Sequence, residues 1–260
     1  KPAKIITSIA MFYDLENPHI FIEDVKAILA HDGVWTIQLM DLMSMIQTND
    51  FPNLCHEHLE YYKLANIVHL MYQHGLEVFD VAYNTVNGSS LRVYVGHNGV
   101  HRITDSTENA WTCESEFFRD VGDVGAHFKE AVESVRSGVV AFIKYQRSSG
   151  KTVCALGAST KGNTMLQYFG LGPNDIEHIA EINPDKYGKY TVGTNIPIIS
   201  ELESLNTVPD YYLILPWGFI QNFIEQHQPY LQNGGAFIVP LPEPRIITMN
   251  AEKQLNIWPI

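Results

Sequence analysis

An α/β fold in two parts is what this sequence predicts, and three observations predict it. Short apolar β runs alternate with segments of helical spacing over residues 4–39 and again over 152–239. The two series are separated by a polar stretch and one long amphipathic helix, together residues 98–147. The length, 260 residues, exceeds one ordinary domain and suits two.

Composition narrows the function classes. The chain is 45% hydrophobic, 11% aromatic and 18% charged, which supplies packed cores and excludes a disordered or low-complexity chain. Seventeen Lys and Arg against 29 Asp and Glu leave a formal charge of −12, the wrong sign for partners bound by counterion release. Nucleic acid polymers and anionic membranes are therefore excluded as bulk partners, although local groups can hold a small anion. Cys55, Cys113 and Cys154 form no C-x-x-C pair, which argues against a disulfide framework or structural zinc and for a reducing, cytoplasmic setting. No run reaches the roughly 18 apolar residues of a membrane span. The chain starts inside a strand at Lys1 with no initiator Met, so it is expected to be part of a longer polypeptide.

In order, residues 4–10 form an apolar strand. Asn17-Pro18 starts a helix with Ile20, Phe21, Val25, Ile28 and Leu29 at helical spacing, ended by Gly33. Residues 34–39 are the next strand, giving a parallel strand–helix–strand unit. Residues 40–57 are long and irregular, more in keeping with a functional loop than a spacer. Residues 58–62 can be extended; 64–74 have helical spacing with Gly75 as C-cap; 76–83 and 90–97 are strands around the hairpin signal Asn87-Gly88. Residues 98–121 are polar and poorly patterned, and 122–147 suit one long helix, where the domain connection falls. Expected boundaries are thus 1–100, a connection over 101–150, and 151–260. The second part reads strand 152–156, glycine turn, helix 162–169, strands 177–182, 196–199 and 211–215, helix 219–231 and strand 235–239, a Rossmann-like series.

Two segments concentrate chemistry. Gly157-Ala-Ser-Thr-Lys161-Gly162-Asn163-Thr164 is a strand, a glycine turn and a helix start, a geometry that aims backbone N–H groups at an anion, with Lys161 adding charge. It is neither G-x-G-x-x-G nor a Walker loop, and Lys161 stands where a nucleophile elbow around Ser159 needs glycine. A tight βα turn without a ligand is the plain alternative. Cys55-His56-Glu57-His58-Leu-Glu60-Tyr61-Tyr62 crowds titratable groups after the long loop, where a general base could reach a substrate over the sheet edge. If the segment is extended, His56, His58 and Glu60 share a face and could ligate zinc. Strand periodicity would also put Glu57 opposite His58, so a shared role requires irregular backbone. Glu181 and Asn183 follow a strand and could meet a ribose or sugar, or form an ordinary turn; Trp217 could stack on a ring or merely pack. The Met residues between 40 and 45 suit core or loop better than a cofactor box.

Taken together, Met11-Phe-Tyr-Asp14-Leu-Glu-Asn-Pro18, Cys55-His-Glu-His-Leu-Glu-Tyr-Tyr62, Val86-Asn-Gly-Ser-Ser-Leu-Arg-Val-Tyr-Val95 and above all Gly157-Ala-Ser-Thr-Lys-Gly-Asn-Thr164 resemble the sugar C-methyltransferase family. The later Glu181–Lys186, Tyr190–Ile198 and Leu215-Pro-Trp217 segments follow the same family. The resemblance covers nearly the whole chain and corresponds to the C-terminal two-thirds of such an enzyme. It implies the C-terminal part of a class I methyltransferase (Rossmann-like) sheet followed by a second Rossmann-like α/β domain. It also implies transfer of a methyl group from S-adenosylmethionine to carbon of a nucleotide-linked 4-keto-deoxysugar, with no metal required. By resemblance His58 is the base and Glu57 its partner. Cys55, His56, Asn87, Gly157, Lys161, Gly162, Asn163, Glu181, Asn183 and Trp217 contact the nucleotide diphosphate sugar, and Met11 and Asp14 lie on the cofactor side. The sequence departs from the family at Cys55, where its members carry tyrosine, and around Asp14, where they carry histidine.

Three other functions compete: a non-catalytic nucleotide-sugar-binding fragment, a nicotinamide-dependent oxidoreductase or epimerase, and a metal-dependent hydrolase on His56, His58 and Glu60. The missing dinucleotide fingerprint weighs against the second.

Overall fold

The structure, a computed structural model, describes residues 1–84 and 90–260. Asn87 and its hairpin turn lie outside the described residues. The chain divides into two compact units, one of residues 1–47 and 56–127 and the other of 48–55 and 128–260. The stretch 101–150, expected as a connection, is shared: 101–127 lie with the first unit and 128–150 with the second.

The first unit contains β1 (Ala3–Ile9), α1 (Pro18–Ile28), β2 (Leu29–Leu39), α2 (Leu42–Gln47), α3 (Leu64–Gln73), β3 (Leu76–Asn84), β4 (Ser90–His97) and α4 (Asp105–Val121). Its sheet has the order β1-β2-β4-β3. β1 and β2 are parallel, while β4 runs antiparallel to both β2 and β3. Asn17 caps α1 by accepting from the Ile20 N–H at 3.3 Å, and Pro18 fills the first turn, where no N–H is needed.

The helix stops at Ile28 rather than Gly33, because Leu29 already pairs with Ala3 of β1. Gly33 instead lies inside β2, where a Cβ would come within 2.9 Å of the Ala3 carbonyl oxygen. Val25 of the expected apolar face is buried, but Ile20 and Ile28 are exposed, as is Ile5 on the edge strand β1. Residues 58–62, expected to be extendable, belong to no strand, and positions 56 and 57 form a turn. The expected loop 40–57 holds α2 and a 3-10 turn at Phe51–Asn53.

Helix α4 was not foreseen, since the residues it buries are Thr107, Ala110 and Glu114 rather than an apolar stripe. Glu114 explains the burial of charge. Its carboxylate accepts from the Leu64 and Ala65 N–H groups at 2.6 and 2.9 Å and so caps α3 from outside.

The second unit takes most of α5 (Val124–Ser148), then β5 (Val153–Leu156), α6 (Thr160–Phe169), β6 (Ile179–Glu181), β7 (Ile198–Ser200), α7 (Glu201–Thr207) and β8 (Tyr211–Ile214). It ends with α8 (Ile220–Gln226), α9 (Gln228–Gln232), β9 (Ala236–Val239), β10 (Arg245–Met249) and β11 (Leu255–Pro259). The sheet order is β11-β10-β9-β8-β5-β6-β7, with β5 to β9 parallel and β10 and β11 antiparallel. Val132, Val135, Val139 and Ile143 of α5 are buried in the core of this unit with Val153–Leu156. The single helix expected over 219–231 is instead a 3-10 turn at Trp217–Phe219 followed by α8 and α9, the second restarted by Pro229 near its N-terminus. Among the described residues no helix is long and apolar enough to cross a membrane.

Candidate active site

At the carboxyl end of β1 the chain makes an abrupt turn. Ala10 has φ 51, a left-handed conformation unusual for a residue with a Cβ, and its N–H donates to the Gln38 carbonyl of β2 at 2.9 Å. The turn sends Phe12 into the core, where its ring meets Trp35, Phe21 and Tyr62 at centroid distances of 6.0, 6.4 and 5.6 Å. Trp35 is held in turn by donating its indole N–H to Ser8 Oγ at 3.0 Å. Tyr13 and Asp14 follow in a 3-10 turn along the rim of the sheet.

The motif 56–62 is docked on that rim. The Tyr13 carbonyl accepts from the Leu59 and Glu60 N–H groups at 3.0 and 3.1 Å, and the Tyr62 carbonyl accepts from Leu42 N–H at 2.9 Å. These bonds bring the half-buried His58 ring edge-on to Tyr13, with centroids 4.6 Å apart. Asp14 is exposed as a residue, yet the protein around its carboxyl raises its pKa; the His58 charge opposes that rise and the Glu57 charge adds to it. His58, Glu57 and Asp14 therefore share one electrostatic neighbourhood. The turn at 56–57 supplies the irregular backbone that a joint role for Glu57 and His58 requires. It also removes the shared strand face of His56, His58 and Glu60. Among the described residues no group of three or more His, Cys, Asp or Glu side chains is arranged to hold a metal ion. His56 is exposed; Met11 and Cys55 are half-buried.

In the second unit, β5 turns into α6 through Gly157, whose φ is +84 and whose Cβ, if present, would lie 2.6 Å from Pro216 Cγ. Ser159 caps α6 by accepting from Gly162 N–H at 3.0 Å, and Gly162 in turn leaves room for Leu215. Lys161 and Asn163, half-buried, sit in the first turn of the helix. Glu181 lies at the end of the neighbouring strand β6, and its carboxylate accepts from the Ala158, Ile182 and Asn183 N–H groups at 2.9, 2.9 and 3.0 Å and from Lys186 Nζ at 3.1 Å. These bonds hold its pKa below the usual carboxylate value against the opposing effect of burial. Lys186 also donates to the Ala158 carbonyl at 2.7 Å, so the pair ties the glycine turn to β6. The Asn183 side chain caps the following 3-10 turn.

One residue at this turn was missed by sequence reasoning. Asp50, on the segment 48–55, is 1% exposed, and its Oδ2 accepts from Asn53 Nδ2 while its Oδ1 has no hydrogen-bond partner. Burial pushes its pKa up to about 6, opposed by the charge of Lys161 and by the Trp217 and Asn53 side chains. The neighbouring Phe51 ring packs on Tyr168 and Phe169 of α6 at 5.1 and 5.6 Å. Only its place in an uninterpreted long loop could have drawn attention to it.

Residues 85–242 match the family described as the C-methyltransferase C-terminal domain. The chain belongs to the C-methyltransferase family. It is 32% identical over 247 residues to C-methyltransferase NovU of Streptomyces niveus, an alignment covering 95% of this chain and 59% of that protein. This C-methyltransferase-family chain thus spans somewhat more than half the length of its curated relative. The family match takes in the Gly157–Asn163 turn, Glu181, Asn183 and Trp217, whereas the Tyr13–His58 neighbourhood lies before it.

Proposed function

We propose that the chain carries the proton-abstracting and nucleotide-binding parts of an S-adenosylmethionine-dependent C-methyltransferase acting on a nucleotide-linked 4-keto-deoxysugar. The observation that carries this reading is the gathering of His58, Glu57, Asp14 and Tyr13 at the carboxyl end of the parallel pair β1 and β2, the edge at which α/β sheets bind their ligands.

When bound, S-adenosylmethionine supplies an electrophilic methyl group. In this reading Met11, half-buried, and the carboxylate of Asp14, both just beyond β1, line its side of the site. His58 takes the proton from the sugar carbon beside the ketone, and the electron pair moves onto the carbonyl oxygen to give an enolate. The carboxylates of Asp14 and Glu57 stabilise the imidazolium that results, since opposite charge nearby favours the protonated ring. Tyr13 sets the ring plane through its edge-on contact. In the second unit, the start of α6 and the Lys161 ammonium hold the diphosphate, with Gly157, Gly162 and Asn163 shaping the turn around it. Cys55, His56, Asn183 and Trp217 complete the substrate contacts in this reading, and Glu181 supports the turn from behind.

The test uses the complete enzyme. Solvent deuterium exchange at the acceptor carbon, followed by NMR without methyl transfer, should fall in His58→Ala by roughly 10²- to 10⁴-fold. Exchange at the parent rate in that variant would remove His58 as the base.

A further inference from the structure

We propose that a Glu23–His74–His19 relay makes Nε2 of His19 the proton-accepting atom of a polar cleft in the first unit, and that the cleft takes a neutral, hydroxylated ligand of the carbohydrate class. The cleft has a volume of about 570 Å³ and is lined by Glu16, Asn17, His19, Glu60, Tyr61 and His69 among others. The inference goes beyond the function proposed above, because neither the relay nor its ligand depends on His58, on the nucleotide or on a methyl donor.

The tautomers follow from one end of the relay. Glu23 carries an ionised carboxylate, held below its ordinary pKa first by its hydrogen bond with His74 and further by the nearby Lys26, so it can only accept. His74 Nδ1 is bonded to Glu23 Oε1 and must therefore carry the proton. In the neutral ring His74 Nε2 is then a bare acceptor. It lies 2.8 Å from His19 Nδ1, with the rings 5.1 Å apart and inclined by 44°, so His19 donates from Nδ1 and keeps its lone pair on Nε2. A proton taken up at that lone pair leaves every bond of the relay in place. The Glu23 carboxylate orients both rings through these bonds, as a carboxylate orients a histidine base.

His19 is the one member of the relay that lines the cleft. The remaining walls define the ligand. Glu16 and Glu60 bring two carboxylates, Asn17 and Asn66 two carboxamides and Tyr61 an aromatic ring, while among the described residues no Lys or Arg contributes. Acceptors in excess without a fixed cation disfavour phosphate and suit hydroxyl donors on a ring that an aromatic face can cover. The titratable groups that line the cleft with His19 are Glu16, Glu60, Tyr61 and Tyr62 from the connecting segments and His69 from α3, while His74 and, through it, Glu23 are bonded on the other side of the His19 ring.

The test is ¹⁵N NMR of the histidine rings in the full chain, with a methyl 6-deoxyhexoside and inorganic phosphate as probes. Nδ1–H tautomers at both His74 and His19, and a shift of the His19 ring signals with the glycoside but not with phosphate, are the expected results. In Glu23→Gln, whose exposed side chain can change without disturbing the core, the ¹⁵N signals of both the His74 and His19 rings should move, because the charged acceptor that orders the two rings is gone. An Nε2–H tautomer at His19, or unmoved His19 ring signals in Glu23→Gln, overturns the relay. A response to phosphate, or to neither probe, overturns the ligand class. His58→Ala should leave all of these signals unchanged, which separates failure here from failure of the proposed methyl transfer.

Discussion

Lys161 and Asp50 are a charge and a buried counter-charge, and each predicts something different. Lys161 stands in the first turn of α6, where the positive end of the helix and its own charge would both favour an anion. Lys161→Ala should weaken thymidine diphosphate binding roughly tenfold, about 1.4 kcal/mol, by isothermal calorimetry; unchanged affinity would remove the lysine from the site. Asp50 has its folded pKa raised from 3.8 to about 6 by burial. The native state therefore binds the proton more tightly than the unfolded chain does. The resulting stabilisation is complete below the unfolded value and is lost as pH rises through the folded one, between about 4 and 6. Asp50→Asn should flatten this part of the stability profile and raise stability at pH 7 by about 1–3 kcal/mol, measured by urea unfolding across pH. The residue types of the Lys161 turn were legible in the sequence because a glycine, a cap and a cation stand in one short run. Asp50 was not, because nothing local marks a loop aspartate as destined for burial.

Elements differ in how openly their spacing declares them. Helix α3 shows an apolar face in Leu64, Ile67 and Met71, and its position was readable. Its N-terminal support was not, since the groups capping the Leu64 and Ala65 N–H groups come from Glu114, 50 and 49 residues further on. Glu114→Ala would leave two helix N–H groups without acceptors and should destabilise the first unit by about 1–3 kcal/mol in urea unfolding, with partial recovery in Glu114→Gln. An effect below half a kcal/mol would mean that water replaces the carboxylate without cost. The same remoteness hid α4. A helix whose inward residues are Thr, Ala and Glu shows no hydrophobic period, and only the partner it caps explains why it packs at all. At residues 56–57 the reverse held: two histidines and two glutamates could be read as strand faces, but Tyr13 draws the following backbone onto the sheet rim and a turn forms instead.

At the scale of the whole molecule, the core of the second unit carries a polar chain. Cys154 Sγ lies 3.6 Å from His178 Nδ1, His178 Nε2 lies 2.7 Å from Ser204 Oγ, and Ser204 Oγ lies 2.5 Å from Tyr212 Oη, all buried. The Cys154 thiol is pushed up to about 12 by burial and stays protonated. His227 is buried nearby, 3.6 Å from Glu201, with its Nε2 lacking a hydrogen-bond partner. Burial lowers the pKa of both His178 and His227, so both are neutral in the folded state and charge more readily when unfolded. Their contribution to stability is present above the unfolded value of 6.5 and is lost as pH falls through the lowered folded values. With Asp50→Asn in place to remove the opposing carboxyl, thermal unfolding followed by calorimetry should show the midpoint dropping as pH falls below about 6.5, and adding His178→Gln should reduce that slope. An identical pH dependence with and without His178→Gln would contradict this.

By itself the sequence determined the mixed α/β character, the parallel strand–helix series and the glycine turn before α6, because these follow from periodicity, caps and conformational freedom within a few residues. It also carried the motif blocks by which the family is matched. Only the tertiary structure decided that Glu57, His58 and Asp14 share a neighbourhood, that Asp50 is buried beside the lysine turn, that Glu114 caps a helix far from it in the chain, and that Glu23, His74 and His19 form one relay. Each of those joins groups separated by many residues through hydrogen bonds, packing or desolvation. Such interactions depend on distance in space, which spacing along the chain does not encode.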